Sequence, residues 1–355
     1  MPLPNIVINF SKAAQTASRR AGQGVVALII KDNGVTAGLL TLGSASDIPA
    51  SLSATNKAYI ADAFIGNVNR PAKVLVYVLA TTAEDFDDAL GALATQQFDW
   101  LAGPPDCEPA DAAAIATWVK GERTNNAAKY KAVLPETAAD SEAVVNFEAE
   151  GIKVGSNSYD ANRYCARIAG LLAGTPITQS VTYVPLPEVS DITRSTKAEM
   201  DAAVDAGKLI LMHDGVKVKV ARGVTSLTTT TTTPADYKKI KIVETVDLIR
   251  NDLRLLCQDN YIGKMPNSYD NKCVLITAIK EYLSGLESDG VLEAGKSVVE
   301  IDVDAQRAYL ASQGVDVSTM TDTQIKQANT GSQVFIKATI SILDAIEDIT
   351  ININF

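Results

Sequence analysis

The sequence contains a single histidine, His213, and this scarcity limits the catalysis that the chain could perform. Nucleophile–base catalysis usually relies on a histidine to move the proton. His213 stands directly before Asp214-Gly215, a pair of residues that favours a hairpin turn. A role in that turn or in packing is therefore favoured over a catalytic role.

Cysteine is also scarce, and its spacing does not suit a metal site. The four cysteines are Cys107, Cys165, Cys257 and Cys273, and they are scattered with no CxxC spacing. A structural metal site usually includes at least one close pair of ligands, so the sequence predicts no metal site. We expect reduced thiols that pack as small hydrophobic side chains.

The sequence lacks the motifs that bind cofactors or activate a nucleophile. No GxSxG elbow, Walker A loop or GxGxxG turn follows any of its apolar runs. We therefore expect no cofactor. Carboxylate pairs such as Asp87-Asp88 fall where a helix begins, and capping explains them. A cytosolic α/β enzyme that uses Asp, Lys or Tyr is the alternative interpretation, but no particular residues are selected for it.

Positive charge and long apolar runs are both limited. The net charge is −10, and the basic residues form only short runs, which does not suit binding to nucleic acid. No stretch approaches the roughly 18–20 apolar residues of a membrane span. The N-terminal residues lack the pattern of a signal peptide. We therefore expect synthesis and accumulation in the cytosol, with no nucleic acid and no membrane as partner.

The sequence is rich in apolar runs that alternate with helical patterns. The runs 24-GVVALIIKD-32 and 72-AKVLVYVLA-80 are typical of strands that are buried on both faces. Residues 53–65 and 83–97 have apolar side chains at helical spacing. This alternation predicts a mixed-sheet α/β core, largely parallel, with flanking helices.

The second half of the sequence combines α and β patterns. Residues 208–215 and 216–224 predict two strands that meet at Asp214-Gly215. Residues 332–343 favour extended structure, so we expect a β-rich C-terminal domain in an α/β and α+β fold. The predicted organisation is an N-terminal arm (1–20), an α/β core (21–250), a C-terminal domain (251–335) and a C-terminal strand with a linking arm (336–355). The side chains expected to be buried in the hairpin are Leu209, Leu211, Val218 and Val220.

Both ends of the sequence have the pattern of a β-strand. The closing stretch 348-DITININF-355 alternates strictly between polar and apolar residues, and 5-NIVINF-10 echoes it. A lone strand is not stable, so each must join a sheet, either in its own subunit or in a neighbouring copy. The apolar residues of the two strands are Ile6, Ile8, Phe10, Ile349, Ile351, Ile353 and Phe355.

Four stretches of the chain resemble blocks of contractile tail sheath proteins. The resemblance is to the sheaths of phages, prophage elements and R-type bacteriocins, such as the diffocins, of Gram-positive bacteria. It covers most of the chain from Gly24 onward, with the blocks in the family's order. One departure is Val224-Thr225, where the family commonly has Ile-Asn. The stretches are 164-YCARIAGLLAGTPITQSVT-182, 207-GKLILMHDGVKVKVARGVTSLTT-229, 247-DLIRNDLRLLCQDNYIGKMPNSYDNK-272 and 334-VFIKATISILDAIEDITININF-355.

The resemblance implies a structural subunit rather than an enzyme. Such subunits polymerise helically, as stacked hexameric rings around an inner tube, and contract to drive the tube through a bacterial envelope. The implied partners are further copies of the chain, the inner tail tube protein, and baseplate and terminator proteins. The product would become part of a phage tail or bacteriocin particle that is released by lysis. A tail tube subunit is a poorer match because such subunits are small and mostly β.

The resemblance also suggests where residues of the subunit act. In the family, terminal extensions pair with sheets of neighbouring subunits, which implies this role for both terminal strands. An element near the C-terminal end faces the tube, and the polar segments 302–314 and 321–331 are the candidates here. Their neighbourhood supplies three cations that could contact an acidic tube: Arg307, Lys326 and Lys337.

Overall fold

The computed structural model describes residues 24–231 and 233–354 of the chain. These residues form two compact units. The first comprises residues 24–244 together with residues 344–354, and the second comprises residues 245–343. The terminal segment therefore belongs to the first unit, although it follows the second in sequence. The domain boundaries expected from the sequence, after residues 20, 250 and 335, stay predictions.

The first unit is built on an eight-stranded sheet. Its strands are β1 (Val25–Lys31), β2 (Gly38–Leu42), β3 (Lys73–Leu79), β4 (Trp100–Ala102), β5 (Lys131–Pro135), β6 (Val144–Glu148), β9 (Lys208–His213) and β10 (Val218–Val220). A separate short hairpin consists of β7 (Ile152–Val154) and β8 (Asn157–Tyr159). The order across the large sheet is β10-β9-β6-β5-β4-β1-β3-β2. The inner strands pair in parallel and the two edge strands pair antiparallel, which confirms the predicted mixed sheet.

Helices cover both faces of this sheet. They are α1 (Ala54–Ala63), α2 (Asp87–Leu93), α3 (Pro109–Asn126), α4 (Ala161–Ala173) and α5 (Lys197–Asp205), followed by the start of α6 (Ile240–Asn260). In β1, Val26 and Leu28 join one apolar cluster with side chains of α1 and α4, whereas Ala27 and Ile29 join another with side chains of α2 and α3. The continuous apolar run of β1 is thus explained by burial on both faces.

Helix α4 packs closely against α1 because glycine stands at the contact. A Cβ atom added at Gly170 would lie 2.0 Å from the carbonyl oxygen of Ala63. The backbones of the two helices can therefore approach only where residue 170 has no side chain. This contact positions α4 on the sheet, where nearly all of its side chains are buried.

The predicted hairpin is present at one edge of the sheet. β9 and β10 pair antiparallel, with His213 opposite Val218. The Asp214 carboxylate accepts hydrogen bonds from the amides of Val216 and Lys217, and Gly215 has a φ of +97°. The prediction of buried hairpin side chains is confirmed for Leu209, Leu211, Val218 and Val220.

The second unit is mostly helical. It contains the rest of α6, together with α7 (Tyr269–Ser288), α8 (Val303–Ser312) and α9 (Asp322–Gln327). Its two strands, β11 (Val298–Ile301) and β12 (Ile336–Thr339), pair antiparallel as a two-stranded sheet. Helix α7 packs against β11.

The structure differs here from the β-rich end that the sequence predicts. Only Ile336–Thr339 of the segment 332–343 forms a ladder strand, although Ile342 makes an isolated bridge to Leu292. The polar segments between β11 and β12 fold as α8 and α9, each begun by a side-chain cap, from Asp302 and Thr321. Extended residues form a sheet only where a partner strand is available.

Across residues 24–231 and 233–354, no helix is both long enough and apolar enough to span a membrane.

Candidate assembly site

The only histidine serves the hairpin turn. The Nδ1 atom of His213 accepts a hydrogen bond from the amide of Gly215 at 2.9 Å. This contact confirms the turn role that the sequence favours for His213. It also occupies the ring nitrogen nearest to the backbone.

The cysteines of the chain are free thiols, and the buried ones are poor nucleophiles. Cys107, Cys165 and Cys257 are buried, and Cys273 is partly exposed. Burial raises the pKa of Cys107 to about 12 and that of Cys257 to about 11. These two thiols therefore stay protonated at neutral pH, whereas the thiolate is the reactive form. Within residues 24–231 and 233–354, no cluster of three or more His, Cys, Asp or Glu side chains could hold a metal ion.

A cavity of about 490 Å³ lies in the first unit and is lined partly by helix α5 and strand β9. Three of its charged lining residues, Glu148, Glu199 and Lys208, already have structural partners. Lys208 pairs with Glu148 at 2.8 Å, and the Glu199 carboxylate accepts a hydrogen bond from the amide of Thr196, the residue that caps α5. The cavity therefore brings together a helix cap and a surface ion pair rather than a set of catalytic groups.

The C-terminal segment exposes a row of isoleucines. Ile349, Ile351 and Ile353 are 73%, 75% and 78% exposed, and Ile346 is 86% exposed. Residues 344–354 form no ladder with any strand in the described part of the chain. Exposed apolar side chains in such a row mark a surface that another protein can cover.

Ile6, Ile8 and Phe10 lie outside the described residues, as does Phe355. Their role between subunits stays a prediction.

The base of the exposed segment is fixed by Glu347. Its Oε1 atom accepts hydrogen bonds from Ser180 Oγ at 2.8 Å and from Thr182 Oγ1 at 2.5 Å. Its Oε2 atom accepts one from Arg222 Nε at 3.1 Å and lies 3.7 Å from Lys239 Nζ. The Glu347 side chain is only 7% exposed. A carboxylate buried in this way requires these partners, since burying an unpaired charge is costly.

Two further ion pairs flank Glu347. Arg222 Nη2 donates to Asp348 Oδ2 at 2.6 Å, and Lys239 Nζ pairs with Asp344. Burial acts to raise the pKa of Asp344, but the Lys239 ammonium and the Ala345 amide outweigh it and hold the pKa below its usual value. The hydrogen bond to Asp344 also raises the pKa of Lys239. We call these residues the arm clamp: Arg222 and Lys239 with Asp344, Glu347 and Asp348.

Sequence reasoning did not identify the cationic side of the clamp. Asp344–Asp348 is visible in the sequence as a short acidic turn, but its partners lie far away in the chain. Arg222 and Glu347 are separated by 125 positions. No local periodicity connects such residues, so the acidic turn was the only available signal.

Both strands of the two-stranded sheet in the second unit are edge strands. In β11, Val299 and Ile301 are buried, whereas Val298 on the other face is 52% exposed. Among the described residues, β11 and β12 form ladders only with each other. The large sheet differs at its β10 edge, where residues 183–186 already hydrogen-bond to Val218 and Val220.

The three candidate tube-facing cations have different surroundings. Arg307 pairs with Asp322 at 2.8 Å and also donates to the carbonyl oxygens of Val317 and Met320. Lys326 is half-buried in α9, and Lys337 is exposed on β12. Arg307 thus holds the loop before α9, while Lys337 presents its charge to solvent. Contact of these cations with a tube stays a prediction.

Matches to protein families define the class of protein. The model of the phage tail sheath protein central domain matches residues 80–226, and the model of the phage tail sheath C-terminal domain matches residues 232–355. Both describe structural proteins of phage tails. The chain is also 41% identical to the tail sheath protein of Clostridium phage phiCD119, over 99% of each chain. The chain therefore belongs to the phage tail sheath family.

Solved structures share the fold at low sequence identity. The sheath tail protein of Desulfitobacterium hafniense has a TM-score of 0.68 and 18% identity, covering 84% of this chain and 94% of that chain. A chain of the anti-feeding prophage baseplate has a TM-score of 0.69 and 17% identity, covering 100% of this chain and 98% of that chain. The protein is a tail sheath structural protein of a phage or phage-like contractile system, and so a component of its tail.

Proposed function

We propose that this protein polymerises helically, as stacked hexameric rings, by donating its C-terminal strand to a neighbouring copy. The observation that carries this proposal is the exposed row of Ile349, Ile351 and Ile353 on a segment whose base is clamped to the first unit. An apolar strand of this kind gains main-chain hydrogen bonds and covered side chains when it joins a sheet edge. We name residues 349–355 the C-terminal arm.

The two-stranded sheet of β11 and β12 is the acceptor in this proposal. Two-stranded sheets are only marginally stable on their own, and each edge strand leaves main-chain groups free to pair. The strict alternation of the arm would place all its isoleucines on one face of the enlarged sheet. Val298 is exposed on this sheet and offers an apolar neighbour. The N-terminal segment 5–10 has the same alternation and would act as a second arm.

Donation of a strand from one copy to the next produces a heterologous contact. Such contacts build rings where the rotation closes and helical filaments where it does not. In this proposal the filament surrounds an inner tail tube, meets baseplate and terminator proteins at its ends, and carries Arg307, Lys326 and Lys337 towards the tube. Assembly follows synthesis in the cytoplasm, and the finished particle leaves the cell by lysis.

Contraction needs two packings of the same subunits. The extended packing would be kinetically trapped and the contracted one lower in free energy, while the arms keep neighbours connected. The energy is then stored at assembly, and the protein acts without catalytic turnover. Membership of a structural family and the turn role of His213 support this interpretation over an enzyme.

A truncation tests the need for the arm. A variant that stops after Asp348 keeps the clamp and loses only the arm, so we expect a folded subunit with an unchanged unfolding temperature. Negative-stain electron microscopy should show no tubes. Long tubes from this truncated protein would contradict the arm proposal.

A matched pair of triple variants tests which face of the arm matters. Serine at positions 349, 351 and 353 removes the apolar face, and we expect it to abolish tubes. Serine at positions 350, 352 and 354 changes the same number of residues on the polar face and should leave tubes intact. Equal loss of tubes from both variants would show that arm composition, and not its apolar face, drives assembly.

A further inference from the structure

The segment Asp344–Asp348 is contacted by side chains from separate parts of the chain. Ser180 and Thr182 come from the loop after α4, Arg222 comes from the segment after β10, and Lys239 directly precedes α6. All of them contact residues within Asp344–Asp348. This segment thus meets the first unit at several points immediately before the arm begins.

The charges at the clamp are balanced. Lys241 is buried nearby and is a third cation, beside Arg222 and Lys239. Burial lowers the pKa of Lys241, and Asp344 and Glu347 partly offset that effect. Arg222 and Lys239 pair with all three carboxylates of Asp344, Glu347 and Asp348, so the segment can dock without leaving an unpaired buried carboxylate.

The three carboxylates of the clamp differ in their exposure to solvent. The Glu347 side chain is 7% exposed, that of Asp344 is 33% exposed and that of Asp348 is 84% exposed. The next apolar residue, Ile349, is 73% exposed. Glu347 is thus the last buried side chain of the described segment, and residues 348–354 are exposed.

We propose that Glu347, held by Arg222, Ser180 and Thr182, is a positioning residue that sets the direction in which the C-terminal arm leaves its subunit, and that the hinge of the arm lies at Asp348–Ile349. This inference rests on the proposed function, because it assumes that the arm reaches a neighbouring copy. Because the clamp orders residues 344–348 before assembly, docking of the arm costs no further conformational entropy in these residues.

The test measures the critical concentration for tube formation by sedimentation and electron microscopy. Glu347→Gln keeps the size of the side chain and removes its charge. We expect a rise in critical concentration of about tenfold or more, because the segment must then be ordered during assembly. Asp348→Asn, at the exposed end of the clamp, should raise it less, since exposed pairs contribute little.

A matched control changes a carboxylate outside the clamp. Asp201 pairs with Lys197 on α5, and both side chains are largely exposed, at 61% and 84%. Asp201→Asn removes the same charge and should leave the critical concentration unchanged. Unfolding temperatures of all the variants show whether any change in assembly reflects a loss of fold.

A charge exchange tests the Lys239–Asp344 pair through two readouts, the critical concentration and the unfolding temperature, and a merely structural pair would change both. Lys239→Asp and Asp344→Lys should each impair assembly, and the double variant should recover most of it because the pair is restored in reverse. These three variants still test the clamp if Glu347→Gln does not fold. Failure of the double variant to recover would overturn the clamp.

The results separate the two proposals. If the protein truncated after Asp348 still forms tubes, the arm proposal fails. If the truncation abolishes tubes but Glu347→Gln assembles at the same concentration as Asp201→Asn, the arm stands and the positioning role of Glu347 is wrong.

Discussion

At the scale of single residues, Asp32 shows how one carboxylate holds a turn. It follows β1, is 7% exposed, and accepts hydrogen bonds from the amides of Gly34 and Ser53 and from the side chain of Asn56. Burial acts to raise the pKa of Asp32, but these hydrogen bonds outweigh it and bring the pKa down to about 2. The turn that begins α1 therefore depends on the charged form of Asp32.

Replacement of Asp32 by asparagine should destabilise the protein in a way that depends on pH. At neutral pH we expect a loss of about 1–3 kcal/mol, because buried donors lose their charged acceptor. The folded pKa is lowered from the ordinary 3.8, so the contribution of Asp32 is complete above pH 3.8 and is lost as pH falls through about 2. Thermal unfolding of the wild-type protein and the Asp32→Asn variant should show that their difference in stability shrinks as pH falls from 3.8 to about 2. The exposed Asp205→Asn serves as control, and a difference that is constant with pH would contradict the account.

At the scale of elements, two helical glycines have opposite surroundings. A Cβ atom at Gly170 would lie 2.0 Å from the carbonyl oxygen of Ala63, whereas one at Gly121 in α3 has no neighbour within 4 Å. Gly170→Ala should therefore destabilise the protein by about 1–3 kcal/mol or more through overpacking. Gly121→Ala should stabilise it by about 0.5–1 kcal/mol, since alanine loses less backbone entropy in a helix. Denaturant unfolding measures both changes, and the opposite order would refute the close contact of α1 with α4.

The β9–β10 hairpin offers a second matched pair of substitutions. Val218 is fully buried, and Val216, at the turn, is 88% exposed. Val218→Asp should abolish soluble expression because it places an unpaired charge in the core, whereas Val216→Asp should be tolerated. Soluble yield and melting temperature provide the measurement. Normal yield from Val218→Asp would be incompatible with the observed packing of β10.

The elements best predicted from sequence are those with a strong local pattern. The apolar runs of β1 and β3 and the Asp214-Gly215 turn are such patterns, and the structure places strands and a turn there. Edge strand β2 was not predicted, because partly buried strands carry a weaker pattern. The clamp around Glu347 could not be predicted either, since tertiary folding alone brings its cations to the acidic turn.

At the scale of the whole molecule, two of the three cations proposed to face the tube, Lys326 and Lys337, can be tested by charge reversal. Arg307 is unsuitable for charge reversal because it holds the carbonyl oxygens of Val317 and Met320. We expect the double variant Lys326→Glu and Lys337→Glu to polymerise alone but to assemble poorly around its tube. Each exposed ion pair contributes only about 0–1 kcal/mol, so the effect depends on many repeated copies.

The control for this experiment is Lys197→Glu, on an exposed helix of the first unit, with a side chain that is 84% exposed. It carries the same reversal and should not affect assembly around the tube. Electron microscopy of sheath mixed with tube gives the fraction of extended particles. Normal extended particles from the double variant would remove Lys326 and Lys337 from the tube contact and leave the strand arms unaffected.

The central claim is that the C-terminal arm of one copy completes a sheet in another. A cryo-electron microscopy reconstruction of tubes assembled from the full chain tests it most directly, because it traces residues 349–354 from the clamp onwards. These residues should lie as a strand beside β11 or β12 of a neighbouring subunit, with Glu347 still bound to Arg222 of its own subunit. Density that folds residues 349–354 back onto the sheet of their own subunit would contradict it.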